Sequence, residues 1–595
     1  MRTNTIAPAS TAYTALFRDA SARVWRAYRN PSEVLVAGRI DEVAPLLRRV
    51  ESAAMQGVHA VGCVSYEAAS AFDDALVTCP DDGSFPLAWF ALFDGVELLP
   101  QLPLSGDLCT PASESGAPLD WSANMDVESY LRGVRTVKES IAAGETYQVN
   151  LTFRLRAGFD GSPRELLRSM YEAQPTDQCS FLDMGSHVVC SASPEIFFAL
   201  DGGRLVTRPM KGTAPRGLRT EDDQRMASEL QRSTKDRAEN IMIVDMIRND
   251  MGRIARTGSV RVSRRFGVER HPTLWQMTST VECETDAGVA RVFSALFPCA
   301  SVTGAPKVQT MKIIAQLEKS PRRVYTGALG FVAPGGRAQF NVPIRTAIVD
   351  VSAQDVEYSV GSGIVWDSTD RGEYEECLTK ARVVTAKRPE FSLLETLLWT
   401  PDKGFFLGDR HLGRMRDSAA FFGFPLDEQD FRGSLDKARA GFAVSAMRVR
   451  VLLNSRGDIH VESVPLPQSH GPGPVRLRLA QGEVDPRDPF LYHKTTHRRI
   501  YEDARASVGD CDDVILHNDR GEVTETTIDN LVVKLDGALY TPPVECGLLA
   551  GMYRSRMLER GEVAQRAIRL EDLARAESVY VVNSVRMMRE AVVLR

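Results

Sequence analysis

Apolar positions along this chain repeat at helical spacing in several separate stretches, and the breaks between them outline its organisation. VESYLRGVRTVKESIAAGE (127–145) spaces its apolar side chains as an amphipathic helix does, and Gly144 is placed to end it. In 235–253, Ile241, Val244 and Ile247 form an apolar stripe that predicts a second helix, with Glu239 at its edge. Glu373, Glu376 and Lys380 fall at i, i+3 and i+7 on one face of a third, and Glu376 and Lys380 have the spacing of a helical salt bridge. Gly551 marks the start of a fourth. The part before residue 100 reads as strand-rich, and PQLPLSGDLCTPASESGAPLD (100–120) as a surface excursion. After KARVVTAKRPE (380–390) the pattern changes character, so a boundary is expected there, with domains at 1–388 and 391–595 and AKRPE (386–390) as a short linker. No internal repeat or low-complexity tract is present.

Composition narrows the classes. A chain of 595 residues with 43% hydrophobic residues has enough apolar surface for several cores. A net charge of −6 gives no reason to expect nucleic acid or an anionic membrane as partner. The ten cysteines form no C-x-x-C pair and read as reduced core residues. Cys63, Cys283 and Cys546 have no histidine pattern nearby, which speaks against a thiol nucleophile. The stretch MRTNTIAPAS has no apolar h-region and no run of eighteen apolar residues occurs, so a soluble, cytoplasmic protein is expected.

Lys211, in RPMKGTAPRG (208–217), is the first candidate for chemistry. By residue type alone it is either a solvated loop lysine beside Arg208 and Arg216 or a nucleophile. An amine attacks carbon only from its neutral form, and free lysine (pKa ~10.4) is protonated at neutral pH. Desolvation beside a bound cation would lower that value. Other candidates surround it in sequence: Glu195 in SPEIFF, Glu239 in KDRAENIMIVDMIRNDMGR, Ser301 in FPCASVTGAPKVQTM, Tyr325 in RRVYTGALG, Arg345 in NVPIRTA, Gly361, Ser362 and Gly363 in GSGIVWDS, and Glu376 in RGEYEECLTKAR. Taken singly, the glutamates could equally be surface charges of helices.

From VGCVSYEAASAFD (61–73) to KARVV (380–384), these motifs stand in the order of the chorismate-utilising enzymes, which this region resembles. The resemblance implies a large α+β domain of two packed sheets with helices outside. It implies Lys211 as nucleophile and Glu195 as general acid, with Glu239 and Glu376 on a magnesium ion. Gly212, Thr213, Ser301, Tyr325, Arg345, Gly361, Ser362 and Gly363 would bind the substrate, the arginine pairing with a carboxylate and the glycines opening backbone N–H groups. Three positions are similar to the 4-amino-4-deoxychorismate synthase component I branch. These are Lys211, where anthranilate and isochorismate synthases carry a small residue; Ser301; and Gln148, where isochorismate synthases carry the lysine that activates water. Gln276 replaces a histidine thought to be needed for pyruvate loss in anthranilate synthase.

Residues 391–595 resemble 4-amino-4-deoxychorismate lyase, a pyridoxal-phosphate enzyme of fold type IV, built as two smaller α/β lobes with the cofactor between them. RHLGRM (410–415), YHKTTHRRIYEDA (492–504), NDRGEVTETTIDNLVV (518–533), CGLLAGMYR (546–554) and VYVVNSVR (579–586) carry the likeness. It implies Lys494 as the lysine that takes the cofactor, Glu525 on its pyridine nitrogen, and Arg414 with the amides of Met552 and Tyr553 on its phosphate. Asn583 and Ser584 would line the same pocket. On residues alone, HKTTHRR is also a basic patch, His493 and His497 a possible metal pair without the HExxH pattern, and Glu525 a hairpin charge.

Together the resemblances imply conversion of chorismate and ammonia to aminodeoxychorismate, then to 4-aminobenzoate and pyruvate, for folate synthesis. No G-x-C-x-G glutaminase turn occurs, so ammonia comes from solution or from a separate glutamine amidotransferase subunit. A homodimer through the second domain is a further expectation. Two other readings stay open: an anthranilate-type synthase fused to a class IV amino-acid aminotransferase, and a non-catalytic regulatory protein that binds an aromatic ligand.

Overall fold

The computed structural model describes residues 13–103, 119–385, 389–442, 445–466 and 473–594. Most of the 100–120 excursion and residues 386–388 of the linker therefore lie outside the described residues. The chain forms two compact units, one of residues 1–215 and 227–388, the other of residues 216–226 and 389–595.

The first unit is built on two ten-stranded sheets whose strands pair antiparallel. One carries the long strand Gln148–Gly158 between Asp355–Ile364 and the short Gly304–Ala305. The other carries Met210–Pro215 beside Leu274–Glu284. Strand alternation packs the two face to face: Phe17, Leu182 and Ile348 from the first sheet meet Val61, Leu329 and Phe331 from the second in one buried cluster. Ala328 and Val332, on the opposite face of the same strand as Leu329 and Phe331, join the core beneath helices Ile40–Met55, Thr234–Gly252 and Val289–Leu296. Helices Val127–Ala142, Pro163–Ala173, Lys307–Leu317 and Asp370–Thr385 cover the outside of the first sheet. The expected two-sheet sandwich with helices outside is what forms.

Local rules explain the helix ends. Asp126 caps Val127–Ala142 by accepting from Ser129 N. At its other end Gly144 adopts φ +76°, with Gly144 N donating to Ile141 O and Glu145 N to Ser140 O, a Schellman pair. One stripe needs correction. Ile241 is exposed, and the buried face of Thr234–Gly252 runs through Asn240, Ile243, Val244, Ile247 and Met251. Three-residue steps drift backward around a helix, so Ile241 sits too far from Ile247 to share its face.

The second unit has two lobes. A four-stranded sheet, containing Leu393–Thr400 and Met447–Leu453, packs on helices Gly408–Phe422 and Glu428–Arg439 through Leu397, Leu412, Met415, Phe431 and Val449. A mixed eight-stranded sheet holds Leu477, Ile515, Leu531 and Val581 at its core. Within this unit Arg216 pairs with Asp223 at 2.6 Å and donates to Phe421 O. All cysteines among the described residues are free, and burial pushes the thiols of Cys63, Cys283 and Cys546 well up, which fits core packing and not nucleophilic work. Among the described residues, no helix is long and apolar enough to cross a membrane.

Candidate active sites

The first unit holds a polar cavity of about 290 Å³, and Lys211, Glu195, Glu239, Glu376, Tyr325 and Arg345 all line it. Lys211 is fixed through its backbone. Its strand pairs with Leu274–Glu284, Gln276 Nε2 donates to Gly212 O at 2.8 Å, and Gly212 adopts φ +92° with Asp236 packed where a side chain would stand. Burial lowers the pKa of the Lys211 amine, while Glu239, Glu376 and Glu195 pull it partly back. Glu195 lies between strands His187–Ser193 and Ile196–Asp201, which belong to different sheets. Burial pushes its carboxyl up to about 7, against a 2.6 Å hydrogen bond from Ser301 Oγ to Oε1. That leaves an acid able to hold a proton near neutrality.

Cations and anions are arranged unequally. Arg345 is buried at φ +50°, and among the described residues no carboxylate pairs with it. A buried guanidinium without an acid is costly unless an anion arrives. Lys380 donates to Glu376 at 2.7 Å and to Gly361 O at 2.8 Å; burial works against its charge, and Glu376 outweighs it. The same Lys380 holds the Glu376 carboxyl below the usual range, whereas burial pushes Glu239 up. No group of three acidic, histidine or cysteine side chains among the described residues forms a metal site by itself. Glu239, Glu373 and Glu376 nevertheless line one cavity, and Glu373 Oε2 is buried without a hydrogen bond. That oxygen-only set fits a hard divalent cation completed by water and substrate.

In the second unit the two lobes meet at Lys494. Leu394 N donates to Lys494 O at 2.9 Å, and Leu393 bridges Thr495. Burial, aided by Arg414, lowers the Lys494 amine to about 8. Glu525 accepts from Tyr501 Oη at 2.8 Å, Asn530 Nδ2 at 3.1 Å and Leu549 N at 3.2 Å, and burial pushes it up to about 7. Arg414 grips Glu395 with two bonds of 2.7 and 2.8 Å and donates to Ala550 O at 3.1 Å. Glu395 is fully enclosed; burial opposes its charge, but Arg414 and His411 overcome it and hold the carboxyl at about 2. Ala550 immediately precedes Gly551, the uncapped N-terminus of helix Met552–Glu559. A side chain at Gly551 would strike Asn530 Oδ1 and displace that amide. An arginine and free helix-start amides side by side suit a phosphate, and a lysine and a buried acid complete what pyridoxal phosphate requires.

Comparison with known proteins agrees with this geometry. Residues 14–386 match the family model of the chorismate binding enzyme. The chain belongs to that family. Residues 392–592 match the model of the class IV amino-transferases. Anthranilate synthase component 1 of Thermus thermophilus is 38% identical over 284 residues, 47% of this chain and 60% of that protein. Aminodeoxychorismate synthase component 1 of Escherichia coli is 37% identical over 273 residues, 46% of this chain and 60% of that one. The chain thus spans about 60% of the length of these two relatives. A crystal structure of anthranilate synthase component I from Streptococcus pneumoniae superposes with a TM-score of 0.51 at 23% identity, covering 64% of this chain and 94% of that one. That likeness concerns the fold.

In the cavity of the first unit, Gly212, Thr213, Ser301, Gly361 and Gly363 are at the wall. Ser362 is not. Its hydroxyl meets Tyr130 Oη at 2.7 Å on the far side of the strand, because neighbouring residues of a strand face opposite ways. Ser301 reaches the site through Glu195. Asn583 spends its side chain on Asp529 and on the turn amides of Val585 and Arg586. Glu373, Lys235 and Lys380 in the first unit, and Glu395 and His411 in the second, are site neighbours that motif reading passed over. For Glu373 the i, i+3 spacing to Glu376 was the available signal.

Proposed function

We propose that the first unit converts chorismate and ammonia into 4-amino-4-deoxychorismate, and that the second removes pyruvate from it to leave 4-aminobenzoate for folate synthesis in the cytoplasm. The observation that carries this reading is the lysine at 211, its amine desolvated in the same cavity as the protonatable Glu195. Chorismate is a dicarboxylate, and the acid-free guanidinium of Arg345 with Tyr325 suits one carboxylate. Lys211 adds to the ring as the 4-hydroxyl leaves with a proton from Glu195 Oε; ammonia then displaces the lysine. Glu239 and Glu376 would hold a magnesium ion that neutralises and orients the ring carboxylate, with Glu373 beside them. In the second unit, bound pyridoxal phosphate supplies an electron sink. Arg414 and the amides of Met552 and Tyr553 would hold its phosphate, Glu525 would face its ring nitrogen, and Lys494 takes the proton from ring C4. Loss of the enolpyruvyl group then aromatises the ring.

The anthranilate synthase of Thermus thermophilus is as similar in sequence as the aminodeoxychorismate synthase of Escherichia coli, so the product decides between them. Incubating the chain with chorismate, magnesium, ammonium and pyridoxal phosphate should yield 4-aminobenzoate by chromatography and mass. Anthranilate would overturn the proposal, and a mixture without turnover would favour a binding role. Glutamine should not replace ammonium unless a separate amidotransferase subunit is added, because the sequence has no G-x-C-x-G glutaminase turn.

A further inference from the structure

Behind Glu195, three buried side chains stand in a row that ends on a thiol. Ser301 Oγ donates to Glu195 Oε1 at 2.6 Å, and Cys299 Sγ lies 3.1 Å from the same hydroxyl oxygen. Glu195 and Ser301 are at the cavity wall; Cys299, which opens the turn Ala300–Val302, is set back behind Ser301. A hydroxyl has one proton to give, and an ionised carboxylate can only accept. While Glu195 is ionised, the Ser301 proton therefore belongs to Oε1, and the bond between sulfur and oxygen is donated by the Cys299 thiol. Burial pushes that thiol up to about 12, so it keeps its proton at neutral pH. Protonated Glu195 has two places for its own proton. On Oε1 it would point at Ser301, whose hydroxyl would have to turn toward sulfur, a weak acceptor. The row as built leaves Oε2 as the better place.

We infer that Cys299 is a positioning residue of the first reaction: its S–H holds the Ser301 hydroxyl toward Glu195 Oε1, so that the acid carries its transferable proton on Oε2. This rests on the general-acid role proposed above for Glu195. In the step served, the O–H bond at Oε2 breaks as the ring C–O bond breaks, and the departing oxygen takes the bonding pair and the proton to leave as water. The lone pair of Lys211 Nζ forms the new C–N bond while the ring double bonds shift. A Glu195 carboxylate and a positively charged secondary amine remain, so charge is conserved. Sulfur neither attacks nor is oxidised. Lys211, Lys380 and the Met210 amide act on the same carboxyl from strand Met210–Pro215 and helix Asp370–Thr385, and Lys307 acts on Cys299. Replacing an uncharged thiol leaves all of those charges in place, so any change in the acid must come through Ser301.

In the full chain at constant free ammonia, Cys299→Ala should lower kcat of the first reaction about three- to tenfold and leave the chorismate KM within about twofold. Without the thiol, Ser301 donates less strongly to the carboxylate, so the alkaline limb set by Glu195 should move up by roughly half a pH unit. Cys299→Ser, a stronger donor, should recover kcat to within about twofold and return the limb to its original place or slightly below. Infrared titration reads the same group without turnover. The C=O stretch of protonated Glu195, identified by its loss in Glu195→Gln, should persist to higher pH in Cys299→Ala than in the unmodified chain. Unchanged kcat and limb in the alanine variant overturn the inference. A serine variant as slow as the alanine one also overturns it, because Cys299 would then matter only for packing. Should alanine prevent folding, the serine variant decides alone, and a limb above the original one refutes the assignment. An unmodified chain without an alkaline limb would instead overturn the role of Glu195, while the infrared shift still reports on Cys299.

Discussion

The two units meet one demand in different ways: under the proposed reactions each needs a lysine that is neutral enough to act, and each surrounds it differently. Desolvation is the leading influence on both amines. Around Lys211 the next strongest influence is a carboxylate, Glu239, and two further glutamates oppose the shift. Around Lys494 it is a guanidinium, Arg414, which reinforces it; Glu395 and Glu525 oppose the shift there, and Arg498 adds to it. The first arrangement keeps negative charge available for a cation and a proton donor. The second sets positive charge beside the amine, which on the proposed reading suits the anionic group of the cofactor. A lysine's neighbours therefore reveal which ligand charge its site was built around.

The strongest test of this contrast removes each lysine. Lys211→Ala should cut aminodeoxychorismate formation by roughly 10³-fold or more while supplied aminodeoxychorismate is still converted. Lys494→Ala should do the reverse, accumulating aminodeoxychorismate and losing the visible band of the bound cofactor; borohydride should fix that cofactor on Lys494 in the unmodified chain. Cross-effects between the two variants would break the division of labour. Glu195→Gln should lower the first reaction by about 10²–10⁴-fold, the usual worth of a general acid. As the proposed general acid Glu195 would work only protonated, so with its carboxyl at about 7 the rate at constant free ammonia should fall as pH rises above neutrality. The glutamine variant should lack that limb. Glu395→Gln, which leaves Arg414 without its anion, should weaken cofactor retention on dialysis by about tenfold, read by absorbance, and leave the first reaction unchanged. The smallest effect belongs to Ser362→Ala. Its hydroxyl faces Tyr130, so chorismate KM should stay within about twofold while thermal stability drops by about 1 kcal/mol.

Much of the first site was legible in the sequence, because Lys211, Glu195, Glu239 and Glu376 each sit in a motif whose neighbours also read clearly. Two sheets, flanking helices and a two-lobed second unit likewise followed from resemblance. What stayed hidden was relational. That the Ser362 hydroxyl faces away from the cavity could not be read, because the facing of a strand residue is settled only once the strand is paired with Gln148–Gly158. Glu395 and His411 escaped notice because their importance lies in a relay, Glu395 accepting from Arg414 and sharing a hydrogen bond with His411, which spacing along the chain does not reveal. Gln148 was legible only as the absence of a basic group; its unpartnered amide is a fact of three dimensions. Ile241 failed for a simpler reason, the drift of a three-residue repeat around a helix.

Gly363 sets a limit on what this cavity could become. A single methyl group there would press within 2.5 Å of Lys211 Nζ without altering any charge in the wall. Gly363→Ala would therefore force the Lys211 amine to shift without changing any charge, so under the proposed reactions the first should slow while the second is left unchanged. The same crowding sets a rule of shape for inhibitors. A ring that carries its bulk on the face toward residue 363 meets the amine directly, so selectivity can be built from contour, with the charged groups common to all chorismate mimics left unchanged.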